Sequence, residues 1–279
     1  MQFTKYHGAG NDFIVVLADR ATGALPFDPA DEAFIAGLCD RHFGVGADGL
    51  LALRPAPVQP GQPPLAFELL YFNADGRLGS LCGNGSRCAV RAALDAGWIT
   101  ELETEIVFLA ADGPHAAALL PDGQVRLSMN DVAAPQVLPD IVAGGGEHRT
   151  YFLDTGSPHV VVLRAWGLND VDIIAEGRSW RYDPRFAPGG TNANFAERLD
   201  GPHLRLRTYE RGVEAETLAC GTGVTATALV AAQHYGIVSP VTLHAVGGEL
   251  LVTFERHPDG SFTNVTLTGP VARVFEGTL

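Results

Sequence analysis

Apolar positions along the chain fall into short runs with distinct periods. Residues 204–209 (LRLRTY) place an apolar side chain at every second position, the period of a half-buried strand. Residues 65–73 (LAFELLYFN) form a denser run of strand formers. Residues 221–232 (GTGVTATALVAA) behave differently, carrying no charge on any face, and so predict a helix enclosed by protein. Residues 82–93 predict a similar helix that carries Arg87 and Arg91, and a further helix is expected over 31–41. Pro121-Asp122-Gly123 and Pro258-Asp259-Gly260 each sit between apolar runs and predict hairpin turns.

The helices predicted at 82–93 and 221–232 start alike. Cys82-Gly83-Asn84-Gly85 and Cys220-Gly221-Thr222-Gly223 lie 138 residues apart, and the same offset places Tyr71 on Tyr209, Ala89 on Thr227 and Ala93 on Ala231. Each half therefore reads strand, loop, cysteine, helix. The offset is close to half of the 279 residues, as expected of a chain built from two copies of one unit. Strands outnumber helices, so the fold class is α+β: two pseudo-symmetric domains, each a mostly antiparallel β-sheet curled around a central α-helix. Residues 132–147 contain Pro135, Pro139 and Gly144-Gly145-Gly146 with little periodicity, and are expected to join the halves. The expected domains are 1–131 plus 268–279, with Cys82, and 132–267, with Cys220. The stretch 55–64 (PAPVQPGQPP) reads as a surface loop.

Composition narrows the functional classes. Hydrophobic residues make up 46% and charged residues 18%, which describes a globular protein. The formal net charge of −13 repels phosphate backbones and anionic lipid, so neither nucleic acid nor a membrane is expected as a partner. No secretory signal is evident and no apolar run approaches the ~18 residues of a membrane span, so a soluble, cytoplasmic protein is expected. Lys5 is the only lysine, which leaves one residue for a pyridoxal Schiff base and argues for chemistry without that cofactor. The cysteines Cys39, Cys82, Cys88 and Cys220 form no Cys-x-x-Cys pair, so no metal is expected and all four read as free thiols. Residues 44–49 (GVGADG) match a dinucleotide-binding pattern in letters only. They follow a predicted helix and lead into a strand-like run, and so read as a structural loop.

The duplicated motif carries chemistry. A cysteine at a helix start faces unpaired N–H groups and about half a positive charge, which stabilise its thiolate. The glycines at 83, 85, 221 and 223 give a small anion such as a carboxylate room at the backbone. Cys39 and Cys88 lack this setting and read as packing residues. Two equivalent thiols facing each other across a cleft suit one reaction class, in which one removes a proton from a carbon and the other delivers a proton to the opposite face. Two helix N-termini aimed at the α-carboxylate supply the electrostatics. Cofactor-free racemisation or epimerisation follows.

The segments HGAGNDF (7–13), RHFGVGADGLL (41–51), FNADG (72–76), CGNGSRC (82–88), TNANF (191–195), YERG (209–212) and ACGTG (219–223) occur in the order in which the diaminopimelate epimerase family has them, and the whole chain resembles that family. The resemblance implies that family's fold, a homodimer, and conversion of LL-2,6-diaminopimelate to the meso form in lysine and cell-wall precursor biosynthesis. It implies that Cys82 and Cys220 are the acid/base pair and that Gly83, Asn84, Gly221 and Thr222 bind the reacting carboxylate. By the same resemblance Asn11, Asn73, Asn192, Glu210 and Arg211 hold the distal amino and carboxylate groups, and His159 lies near the cysteines. Ser157 stands where many relatives have a substrate-touching asparagine, and residues 213–217 are one longer than the common pattern. A proline racemase or hydroxyproline epimerase is the alternative within the fold. Outside it, the alternatives are a dithiol redox protein and an amino-acid binding protein.

Overall fold

The computed structural model describes residues 1–57, 64–139 and 149–279. Of the stretches read above as loop and joint, residues 58–63 and 140–147 lie outside the described residues. The chain forms two compact units, residues 1–127 with 269–279 and residues 128–268.

The first unit opens with strands β1 (Gln2–Gly8) and β2 (Asn11–Leu17), helix α1 (Glu32–Cys39), strands β3 (Gly49–Arg54) and β4 (Glu68–Asn73), and helix α2 (Gly83–Asp95). Strands β5 (Ile106–Ala110), β6 (Gly113–Leu119) and β7 (Val125–Ser128) follow. Neighbours pair antiparallel except β2 with β3 and β4 with β5, which are parallel. Strands β2 and β3 are buried on both faces, as parallel neighbours with a helix on each side must be. Ile14, Val16, Leu50 and Ala52 point one way, onto Ile35 and Leu38 of α1. The alternate residues Phe13 and Leu51 point the other way, toward Gly85 of α2.

The second unit contains strands β8 (Gln136–Leu138), β9 (Arg149–Asp154) and β10 (Pro158–Arg164), helix α3 (Ile173–Arg181), strands β11 (Asn192–Arg198), β12 (His203–Glu210) and β13 (Ala215–Thr217), and helix α4 (Gly221–Tyr235). Strands β14 (Val241–Ala245), β15 (Gly248–Arg256) and β16 (Phe262–Gly269) complete it. Its pairing repeats the first unit's: β9–β10 antiparallel, β10–β11 parallel, β11–β12 antiparallel, β12–β14 parallel, β14–β15 and β15–β16 antiparallel. The final strand, β17 (Ala272–Thr278), returns to the first unit and pairs antiparallel with β1, as β8 pairs with β9.

The helices repeat as well. Each unit has one helix between the strands of its first parallel pair and one between those of its second. α2 and α4 start directly after Cys82 and Cys220, and both proline-aspartate-glycine segments turn hairpins, β6 to β7 and β15 to β16. α4 is buried from Gly223 to Ala232, as its uncharged sequence requires. α3 is a finding beyond the sequence reading. Asp172 caps it, and Ile173 and Trp180 pack against Val160, Val162, Phe195 and Tyr209. Within the segment read as a structureless joint, Val132 bridges to Phe262 and residues 136–138 form β8, because their backbone groups pair with an available strand edge. Among the described residues no helix is long and apolar enough to cross a membrane.

Candidate active site

In the first unit, the β1–β2 hairpin turns through Ala9 (φ 53°) and Gly10 (φ 83°), both left-handed. A non-glycine residue there costs roughly 1–2 kcal/mol, and the tight turn sets Asn11 as the first residue of β2. Cys82 is the N-cap of α2, with extended backbone, and its Sγ accepts from the Gly85 N–H at 3.4 Å. Gly83 and Asn84 are the first two residues of the helix.

Chemistry fixes the orientation of the two amides beside Cys82. The Asp48 carboxylate only accepts, so the group 2.7 Å from its Oδ2 is Nδ2 of Asn11. Oδ1 of Asn11 is therefore the atom that accepts from Asn84 Nδ2 at 3.2 Å and lies 3.7 Å from Cys82 Sγ. From the other end, Arg87 only donates, so its Nη2 meets Oδ1 of Asn84, at 2.8 Å. Asp48 is gripped by Arg41 at 2.7 Å; Arg41 and Lys5 both lie 2.8 Å from Asp12. Burial of Asp12 alone would raise its carboxyl pKa, but hydrogen bonds from Arg41 and Lys5 hold it well below the usual range. Asn73 takes no part in these bonds. Its Oδ1 accepts from the Tyr71 hydroxyl at 2.7 Å, and its Nδ2 donates to the Arg77 carbonyl.

The second unit gathers its residues around Thr222. Cys220, extended and buried, precedes α4, of which Gly221 and Thr222 are the first residues. Thr222 Oγ1 lies 3.5 Å from Cys220 Sγ, 3.0 Å from His159 Nε2 and 3.1 Å from the donating Ser157 hydroxyl. Ser157 also lies 2.9 Å from His159 Nε2, so despite its shorter side chain it joins the cluster. Asn194 Nδ2 donates to the Val160 carbonyl and, at 3.0 Å, to His159 Nδ1. That bond leaves the proton of the neutral ring on Nε2, directed at the two hydroxyls.

His159 is fully buried, and burial, with the Arg211 charge adding to it, pushes its pKa down to about 3. The unfolded ring titrates near ~6.5 and so binds more protons than the folded one between these values. Stability is complete above the unfolded value and is lost as pH falls toward the folded one, by up to about 1.4 kcal/mol per pH unit. Urea unfolding at a series of pH values should show His159→Gln with a shallower acid slope than the parent; equal slopes would contradict a buried neutral ring.

Close packing explains the second glycine of the motif. A Cβ at Gly223 would stand 2.4 Å from Asn194 Oδ1 and 3.3 Å from His159 Cε1. Gly223→Ala is expected to cost about 1–3 kcal/mol, read as a lower Tm, and to disturb the His159 contacts; an unchanged Tm would contradict this packing.

Asn192 bridges strand ends. Its Nδ2 donates to the Pro158 carbonyl, and its Oδ1 accepts from the Arg211 backbone N–H at 2.8 Å. The exposed Arg211 side chain reaches the Gly189 carbonyl at 3.4 Å. Glu210 accepts from the Thr217 hydroxyl at 2.8 Å. Of residues 213–217, read above as a longer loop, 215–217 form β13, and residues 211–214 make the tight return from β12. Glu214 takes a left-handed backbone (φ 59°) and accepts from Arg181, Tyr182, Tyr209 and the Gly212 N–H.

The sequence reading missed Asp48, Arg41, Arg87 and Asn194. All four lie inside motifs already quoted, Asn194 in TNANF two residues from Asn192, so strand alternation was the available signal for it. Cys39 and Cys88 are buried, and burial pushes Cys39 up to about 11 and raises Cys88 further, as suits packing thiols.

Comparison with known proteins adds to this geometry. The model of the diaminopimelate epimerase family matches residues 3–134 and 151–274. A diaminopimelate epimerase of Flavobacterium psychrophilum is 37% identical over 281 residues, covering all of both chains. Among solved structures, a PhzF-family phenazine biosynthesis protein of Bacillus anthracis aligns with TM-score 0.73 at 14% identity, covering 100% of this chain and 98% of that one. A hydroxyproline epimerase of Agrobacterium vitis aligns with TM-score 0.68 at 18% identity, covering 99% and 91%. At such identities these two structures share the fold alone.

Proposed function

The chain belongs to the diaminopimelate epimerase family, and from that premise we propose that it converts LL-2,6-diaminopimelate to the meso isomer, with Cys82 and Cys220 as the acid/base pair. The observation that carries the mechanism is the matched setting of the two thiols: each is the extended residue before a buried helix, and each Sγ lies beside hydrogen-bonding side chains supplied by its own unit.

The reaction exchanges one α-proton for another in two transfers. A thiolate sulfur takes the α-proton, the electron pair stays on the substrate as a carbanion delocalised into the α-carboxylate, and the other S–H delivers its proton to the opposite face. The α-carboxylate oxygens carry the developing charge. Gly83 and Asn84 on α2, and Gly221 and Thr222 on α4, present N–H groups with no partner inside their own helices, and the helix dipoles favour negative charge there. His159, held neutral, keeps the Thr222 and Ser157 hydroxyls oriented beside Cys220. The distal end of the substrate carries an ammonium and a carboxylate. Arg211 forks onto the carboxylate, and Glu210, Asn11, Asn73 and Asn192 supply acceptors and amides for either group. The four free thiols agree with action in the cytoplasm, and membership of the family carries the further expectation of a homodimer.

The test is a substrate panel with purified, reduced protein and no added pyridoxal phosphate or metal. LL-diaminopimelate is expected to yield the meso isomer, and L-proline and trans-4-hydroxy-L-proline to remain unchanged. Preference for the cyclic imino acids would overturn the substrate assignment.

A further inference from the structure

Arg87 is a charge in an unexpected place. It sits on α2 five residues after Cys82 with no exposed surface. Its guanidinium cannot shed its proton. Among the described residues no carboxylate forms an ion pair with it, and its Nε and Nη1 donate to no acceptor. Its Nη2 donates to Asn84 Oδ1 and packs so close to the end of β1 that a Cβ on Gly8 would stand 3.3 Å away. Among the described residues, Arg54 on β3 pairs with Glu68 on β4, Arg91 with Asp95 on α2 itself and His115 on β6 with Asp112, and β1 also carries His7. The remaining charged groups on the neighbouring elements are Lys5 on β1, Asp12 on β2, and Arg41 and Asp48 in the segment leading into β3. These form two cations against two carboxylates and neutralise one another. Among the described residues no carboxylate opposes Arg87, and its charge favours the thiolates of Cys88 and Cys82 on the same helix start. Cys88 is fully buried, and burial disfavours its thiolate. Cys82 is half-buried at the helix start, where a negative charge is also stabilised by the Gly85 N–H.

We propose that Arg87 is a positioning residue for the Cys82 half-reaction: it fixes the Asn84 amide and supplies the buried positive charge that favours the Cys82 thiolate. The inference rests on the acid/base role proposed for Cys82, but its test needs no turnover.

Alkylation of Cys82 by iodoacetamide, read by peptide mass spectrometry across a pH series, gives the thiol's titration midpoint. The parent protein should titrate below the ordinary ~8.5. Arg87→Gln should move the midpoint up by about one pH unit or more. Arg87→Lys, which keeps the charge, should restore it. A folded Arg87→Gln protein with an unmoved midpoint would overturn the proposal and leave Arg87 a structural residue that lowers Tm alone. Should Arg87→Gln fail to fold, the parent still decides. A buried charge escapes screening, so the midpoint should hold between about 0.05 and about 1 M salt; a drift toward the ordinary value would assign the effect to exposed charges. A shifted midpoint in a protein that leaves LL-diaminopimelate unchanged would defeat the substrate reading and retain this one.

Discussion

Cys82→Ser and Cys220→Ser should each lower the turnover of LL-diaminopimelate by at least about a thousandfold, the scale on which a positioned acid or base contributes. Serine has nearly the shape of cysteine, but its hydroxyl does not ionise near neutral pH, so the variant can neither take the α-proton as an anion nor exchange it at the required rate. The loss is specific to chemistry. Cys82 Sγ already acts as a helix cap toward the Gly85 N–H, and serine is among the preferred residues at that position. The Cys82→Ser protein is therefore expected to keep or raise its Tm while losing activity. Cys39→Ala, a change in the α1 core far from such a cap, should lower Tm and keep turnover per folded molecule. A serine variant at 82 or 220 retaining a tenth of the parent rate would contradict the acid/base assignment.

Arg211→Met should lower kcat/KM for LL-diaminopimelate by about a hundredfold or more, mainly through KM, since a charge-assisted hydrogen bond lost at a partly desolvated site costs about 1.5–3 kcal/mol and Arg makes two such bonds to a carboxylate. Its backbone is held by Asn192 through the Arg211 N–H, while among the described residues the guanidinium has one long bond, to Gly189, and no ion pair. The side chain is therefore available to an incoming carboxylate without first breaking an ion pair. Arg211→Lys should recover only part of the loss, because an ammonium cannot make the parallel pair of bonds. Steady-state kinetics of the two variants checks both statements. An unchanged KM in Arg211→Met would remove Arg211 from the substrate.

Much of this arrangement was legible in the sequence where a strong local pattern coincided with a repeat. The helices after Cys82 and Cys220 announced themselves through a repeated Cys-Gly-x-Gly start, followed in the second by an uncharged run, and the hairpins through proline-aspartate-glycine. α3 escaped notice because its residues IIAEGRSWR include a glycine and two arginines, and their pattern is weak alone. The offset of 138 applied to the helix read at 31–41 lands on 169–179, so the repeat held the signal that the local pattern lacked. The site followed the same division. Asn11, Asn84, His159 and Thr222 could be placed by motif, whereas the roles of Asp48 and Arg87 depend on which atom of a neighbouring amide they face. That information arises only when β1, β2 and α2 pack together. Arg87 also inverts the usual expectation, since a charge on a helix normally marks its wet face and here marks the most enclosed one.

Two sulfurs divide the inversion, each serving one face of the α-carbon. The most direct test is proton NMR of LL-diaminopimelate with the reduced protein in D₂O, sampled at low conversion. The meso product should carry deuterium at the inverted carbon while the recovered LL substrate keeps its α-proton, because the sulfur that takes the proton is not the one that delivers the deuteron. Deuterium entering recovered substrate and product at equal rates would show a single base serving both faces and would contradict the paired-thiol mechanism.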